Sequence, residues 1–440
     1  MPIDRYVERA DPRANPSLFY WVPSDRAIGL AAWLGAGLAV LLILGVPQSV
    51  GTLATAVAFL LLWALYLSFV NAGQLFYGYG WETMLLEAGF LAVFLGAAGT
   101  APPDTVIWLF RWLLFRMMFG SGLIKLRHDP CWRDLSCLED HYETQPIPNP
   151  VSWYAQHLPD GVHQLGVVVT LVVEVVVPFL YFAPQPFATV AGLATIGFQA
   201  LLVLTGNFAW WNWLTALVAV STFDDAVLSA ILPVTAPATA PLPMGHQLIV
   251  GLVAVVVLGL SYYPVVNLLS RRQAMNASYD PFKLVNTYGA FGSITTDRFQ
   301  LVVEGTDVTD PDEDDWQAYT FKGQPVRLDE RPPQWAPYHL RLDWQLWFAA
   351  MSPSPRRHGW VLALLEKLLA GDEQLRQLLE GDPFGDEPPR FVRVLRYRYE
   401  FTSPAVRVAT GQWWERDLED VYVLPVSLQD LRSGGRGRRW

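Results

Sequence analysis

The chain has 440 residues, 52% of them hydrophobic and 16% charged, with a formal net charge of −10. That acidity excludes nucleic acid as a partner, because phosphate binding needs a basic face. Charge is unevenly divided: residues 1–270 hold 9 Lys or Arg and 16 Asp or Glu, whereas residues 271–440 hold 22 and 25. The first segment would be insoluble outside lipid, and the second has the composition of a solvated domain.

Residues 1–26 read as an N-terminal tail with no cleavable signal. The first apolar run, from about Ala27, is long enough to stay in the membrane as an anchor. A spanning helix needs about 20 apolar residues, since about 30 Å of hydrocarbon is crossed at 1.5 Å per residue. Candidate spans fall near 27–46, 50–70, 83–98, 105–126, 164–182, 188–205, 211–231 and 246–268. The third is short, and the seventh carries Asp224-Asp225 near its middle, so either is tilted, shortened or re-entrant. The expected architecture is an α-helical polytopic membrane bundle of about eight spans over residues 27–270, with six or seven spans also open. It carries an ordered loop at 127–163. A small β-rich α+β soluble domain follows at 271–430, then a disordered basic tail at 431–440 containing Arg436-Gly437-Arg438-Arg439.

Charges lie inside the spans: Glu87 in the third, Arg111 and Arg116 in the fourth, Lys125 at its end, and Glu174 in the fifth. An unpaired charge at mid-bilayer costs about 3 kcal/mol or more, so such groups face the bundle and find partners. The expectation is structural pairing of Glu87 and Glu174 with the two arginines, with Lys125 snorkelling to the interface. A proton path or a catalytic base is the competing reading. With eight crossings the N-terminus, the 127–163 loop and the C-terminal domain share one aqueous side, which the basic-residue count would make cytoplasmic.

The loop is too rich in charge, Pro and Trp to be a passive connector. It holds both cysteines, as His128-x2-Cys131-x5-Cys137-x3-His141. That order invites zinc but fits no well-known finger, so no metal is assigned. A local disulfide in an oxidising compartment and two unlinked thiols both stay open. The spacing lacks the C-x-x-C geometry of redox catalysis.

In the last third, Phe299–Glu304 and Trp316–Phe321 read as strands flanking an Asp-rich loop that lacks the ligand positions of an EF-hand. Phe391–Phe401 reads as a half-buried strand with Arg396, Arg398 and Glu400 on its wet face. Gly359–Leu379 reads as one helix with Trp360, Leu364, Leu368 and Leu375 as its core stripe. The tryptophans Trp316, Trp335, Trp344, Trp347, Trp413 and Trp414 supply a small core, and any left exposed would offer a binding face or a rim resting on headgroups.

Long stretches carry a resemblance. They include GWETMLLEAGFLAVFL (80–95), RWLLFRMMFGSGLIKLRHDPCWRDLSCLEDHYETQPIPNPVSWY (111–154), GNFAWWNWLT (206–215), NTYGAFGSIT (286–295), PYHLRLDWQLWFAA (337–350), PPRFVRVLRYRYEFT (388–402) and QWWERD (412–417). Over residues 75–430 the sequence resembles the lipase maturation factor family, polytopic membrane proteins that help certain secreted lipases reach their active, assembled state. The resemblance singles out Lys125, Arg127, Asp129, Trp132, Arg133, Asp134, His141, Tyr142, Glu143 and Gln145 in the central loop. In the C-terminal domain it singles out Tyr288, Tyr338, His339, Arg341, Asp343, Trp344, Trp347, Trp413 and Trp414. His128 stands where the family usually has glycine, which weakens the metal idea, and Leu340 where an aromatic is common. The resemblance implies an exoplasmic C-terminal domain, against the basic-residue count. It places the protein in the endoplasmic reticulum membrane of a eukaryotic host or the plasma membrane of a prokaryotic one.

The resulting expectation is a non-catalytic maturation factor or chaperone without cofactor, whose partners are membrane lipid and exported client proteins such as lipases. No G-x-S-x-G elbow, H-E-x-x-H, Walker loop or dinucleotide fingerprint is present. The alternatives are an integral-membrane enzyme using Glu87, Arg116, Lys125 and Glu174 on a lipid-soluble cofactor or a client protein, and a transporter, for which no internal repeat is found.

Overall fold

The computed structural model describes residues 2–232 and 239–433; the basic tail from residue 434 onward lies outside the described residues. The chain divides into two compact units. One comprises residues 1–135, 165–201 and 210–293, the other 136–164, 202–209 and 294–440.

The first unit is helical. Among the described residues, six helices are long and apolar enough to cross a membrane: α1 Asp25–Ile43, α2 Thr52–Ala72, α4 Asp104–His128, α5 Asp160–Phe182, α6 Phe187–Thr205 and α8 Met244–Leu269. Two shorter helices complete the set, α3 Gly80–Ala92 and α7 Trp211–Ala219. These two account for the difference from the expected eight. At 1.5 Å per residue, the 13 residues of α3 reach about 20 Å. The seventh expected span breaks after α7 into a 3₁₀ turn at Val220–Thr222 and a short helix Asp225–Ile231. Asp224 sits at that break rather than inside a span, its carboxylate accepting the Val227 N–H as an N-cap.

α4 is the spine of the unit, and two glycines let its backbone be approached. A Cβ at Gly120 would lie 2.5 Å from the Tyr288 carbonyl oxygen, and one at Gly122 would lie 2.6 Å from Val175 Cγ2. The Tyr288 strap and a π-helical turn of α5, Val172–Val176, therefore both seat directly on α4.

The second unit is built on a four-stranded antiparallel sheet in the order β2-β1-β5-β6, with β1 Arg298–Thr306, β2 Gln317–Ala318, β5 Phe391–Phe401 and β6 Trp414–Val426. A two-stranded pair joins β3 Thr320–Phe321 to β4 Leu379–Gly381. Helix α9, Arg341–Ala350, packs on β1. The expected helix 359–379 stops early: α10 covers Trp360–Leu369, Gly371 turns left-handed at φ +65°, and a single helical turn at Glu373–Arg376 precedes β4. β5 is wetter in sequence than in structure. Arg393 and Arg396 are buried because Glu304, Glu313 and Asp420 neutralise them from β1, the Asp-rich loop and β6.

Candidate functional site

The helical unit holds two buried ion pairs, and a further buried acid, Glu82, accepts the Tyr66 hydroxyl. Glu87 and Arg116, each 1% exposed, form an ion pair between α3 and α4. Glu87 Oε2 also accepts the Asn286 N–H and Nδ2 at 3.1 Å and the Tyr288 hydroxyl at 2.8 Å, while Arg116 donates to the Asn286 carbonyl at 2.6 Å. Lys125 donates to both Glu174 oxygens at 2.9 and 2.7 Å, and to the Ala290 carbonyl at 3.0 Å. The Trp132 ring lies 5.2 Å from the ammonium, and its indole N–H reaches the Phe291 carbonyl. Arg127 holds Gln273, which donates to the Gly120 carbonyl. These contacts converge on one strap, residues 273–291, and fasten it to α3, α4 and α5.

Three expectations are corrected here. Glu174 pairs with Lys125 and not with an arginine. Lys125 is 3% exposed and does not snorkel, because the π-helical turn of α5 brings Glu174 within reach. Arg111 points elsewhere: it donates to the Ser221 and Tyr181 carbonyls at 2.8 and 3.1 Å, where broken helices leave acceptors open.

In the second unit the central loop is woven into the sheet through polar side chains. Arg298, 1% exposed at the start of β1, donates to the carbonyls of Glu143, Gln145 and Pro146 and to the Gln324 amide. Burial pulls its guanidinium down to about 10, opposed by Glu143. Burial pushes the Glu143 carboxyl up to about 7 against the Phe401 N–H that it accepts at 2.6 Å. Gln145 donates to Ser152 Oγ and the Thr205 carbonyl. Asn149 donates to the Leu204 carbonyl and Gln334. Asn207 accepts from Gln334, Trp335 N and Ala336 N and donates to the Pro148 and Pro333 carbonyls. The indoles of Trp153 and Trp347 add bonds to the Thr402 and Thr144 carbonyls. Proline-rich loops offer carbonyls without N–H partners, and these amides and indoles supply the missing donors.

The remaining expected residues fall in several environments. His141, 7% exposed, stacks on Phe208 at 6.2 Å, and Tyr142 lies against His163. Arg133 and Asp134 are exposed on their short helix, and Asp129 accepts the Cys131 N–H just before it. Neither cysteine is free: Cys131 and Cys137 are both disulfide-bonded, so they offer no thiolate to a metal. Asp343 in α9 accepts the Gly323 N–H at 2.7 Å, and burial pushes its carboxyl up to about 7. His339 packs edge-on to Trp344, Arg341 is partly buried, and Tyr338 is 65% exposed. Trp344, Trp413 and Trp414 are buried and belong to the core. Trp153, Tyr399, Phe401, Trp413 and Trp414 form one cluster.

The comparisons agree with this arrangement of two unlike parts. The family model described as the lipase maturation factor transmembrane domain matches residues 1–230, and that of the lipase maturation factor C-terminal domain matches residues 284–425. The protein named lipase maturation factor 1 from Bos taurus is 40% identical over 96% of this chain and 80% of its own length. Its Homo sapiens counterpart is 40% identical over 97% and 81%.

The chain belongs to the lipase maturation factor family.

Lipase maturation factor 2 of Homo sapiens is more distant, 29% identical over 90% of this chain and 73% of its own length. No solved structure matches. These family members are named as maturation factors and not as enzymes. The second family model begins at residue 284, inside the strap that the structure packs into the helical unit. Sequence reasoning passed over Asn149, Asn207, Arg298, Gln324 and the two glycines of α4. The signal for Asn207 was a polar residue in the run GNFAWWNWLT directly after an apolar span.

Proposed function

We propose that this lipase maturation factor family member is a membrane-embedded, non-catalytic chaperone that assists the folding or assembly of exported proteins such as lipases. Its second unit is the part that meets the client. The observation that carries this reading is the composition of that unit. The later part of the central loop, from residue 136, the 202–209 turn and the C-terminal sheet form one compact body, and it holds His141, Tyr142, Glu143 and Gln145 of the first motif and all of the second but Tyr288. The disulfide state of Cys131 and Cys137 supports an exoplasmic setting, where thiols are oxidised. That setting is the lumen of the endoplasmic reticulum in a eukaryotic host.

Chain topology supports one crossing besides α8 between residues 209 and 294. Residues 136–164, 202–209 and 294–440 belong to one body, which requires an even number of crossings between each pair of segments. α5 and α6 satisfy this for the first pair, but α8 alone does not for the second. We infer that α7 with its 3₁₀ extension makes the missing crossing as a short, protein-lined span.

The test is co-expression of a secreted lipase with this chain in cells lacking a maturation factor of their own. The specific activity of the secreted lipase rises with the chain present. Secreted lipase of unchanged specific activity, with the chain well expressed, sinks the proposal.

A further inference from the structure

The second unit contains a cavity of about 310 Å³ whose lining includes Pro148, Pro325, Pro332 and Pro333. Proline rings give rigid apolar sides and no backbone donors. The donors come from side chains. Arg327 is engaged by both acids of the lining, in an ion pair with Glu330 and 3.7 Å from Glu380. The other two cations are only partly used. Lys322 gives one hydrogen bond, to the Gln377 carbonyl at 2.9 Å, leaving further ammonium protons. Arg331 turns Nε and Nη2 onto the Pro150 carbonyl at 3.1 and 2.8 Å, leaving Nη1. Trp414, 0% exposed, also lines the cavity, and its indole N–H is buried without a hydrogen-bond partner.

The surplus is therefore in donors and in positive charge, three cations against two carboxylates, inside a chain of net charge −10. The complement of that surplus is a carboxylate. The volume holds a few side chains and not a folded domain. The apolar sides and Phe321 suit residues flanking the acid, which a free small acid would leave untouched.

We propose that this cavity receives an acidic side chain carried on an extended segment of an incompletely folded client, with Lys322 and Arg331 as its receptors. This rests on the maturation reading above and adds a sequence preference to it: exposed Asp or Glu beside apolar residues.

The test uses the full chain in lipid nanodiscs and the fluorescence anisotropy of a short fluorescein-labelled peptide of Gly, Ser and Leu with one central glutamate. Twin peptides carry glutamine or lysine at that place. The glutamate peptide binds about tenfold more tightly than its glutamine twin, a difference of ~1.4 kcal/mol. Lys322→Glu inverts the preference toward the lysine twin, an outcome that a damaged fold does not produce. Equal binding of the glutamate and glutamine peptides overturns the proposal. So does displacement by free glutamate, or by phosphatidylserine vesicles, as effective as displacement by unlabelled peptide; these mark a small-acid site or a headgroup site.

The lipase assay separates the two claims. If the wild-type chain and Lys322→Glu mature the lipase equally, the cavity is not a client site and the maturation reading survives. If the wild-type chain matures no lipase while the charge inversion holds, the acidic-peptide preference stands and the maturation reading falls.

Discussion

Two sites, one in each unit, hold a buried cation in different ways, although Arg393 and Arg396 of the second unit also pair with carboxylates. In the helical unit Arg116 and Lys125 each meet a carboxylate, Glu87 or Glu174, and backbone carbonyls of the 273–291 strap complete their shells. In the second unit Arg298 has no direct ion pair among the described residues; it is held by carbonyls and amide side chains, with the Glu143 carboxyl nearby. The acceptors within reach explain the contrast: carboxylates on neighbouring helices for Arg116 and Lys125, and carbonyls of a proline-rich loop for Arg298. The two buried pairs of the helical unit both bond the 273–291 strap. The pairs that would make a proton path are closed on each other and on main-chain atoms.

The contrast is sharpest where one partner is removed. Arg116→Ala leaves Glu87 buried and uncompensated, at a cost of about 3–5 kcal/mol. The variant loses monodisperse, protease-resistant protein in detergent, and an intact folded yield would show that the pair does not hold the strap. Lys125→Met follows with a loss of similar kind. The double variant Lys125→Met with Glu174→Leu removes both charges together, and most of the folded yield returns. Recovery of fold with complete loss of lipase maturation would revive the enzyme reading.

Smaller losses belong to the second unit. Asn207→Ala removes an amide that makes five hydrogen bonds to neighbouring loops. It lowers stability by about 1–3 kcal/mol, seen as a fall in the midpoint of thermal unfolding followed by tryptophan fluorescence. A separate effect is that of pH. Glu143 and Asp343 both titrate near 7 in the folded state and near the ordinary carboxylate value when unfolded. Between those values the folded state holds protons that the unfolded state has lost, so their contribution is complete at low pH and disappears as pH rises through 7. Comparing pH 5.5 with pH 7.5 isolates it: the second unit unfolds at a higher temperature at the lower pH. The double variant Glu143→Gln with Asp343→Asn flattens that difference, and an unchanged slope would assign it to other groups.

How much of this was readable beforehand depended on locality. Strand β5 follows from alternation, and its ends fall at Phe391 and Phe401 as expected. The break after Leu369 was hidden because the apolar stripe continues through Leu375, and a lone glycine such as Gly371 is tolerated inside a helical pattern. Glu87 and Arg116 were legible as partners because hydrocarbon forces a pair. The partner of Lys125 was not, since it depends on a π-helical turn that shifts the register of α5 by a fraction of a turn. The links from Asn149 and Asn207 to residues 333–336 were out of reach, because no periodicity connects positions so far apart in the chain.

The second unit is assembled from three separated stretches, and two of them leave the ribosome long before the third. Until residue 298 has been made, the carbonyls around Pro146 have no guanidinium, and until residue 414 the aromatic cluster lacks its floor. The early loops must wait, unsatisfied, through the synthesis of most of the remaining chain. Such late closure gives slow, all-or-nothing assembly, so a truncation near the end should spoil loops translated hundreds of codons earlier.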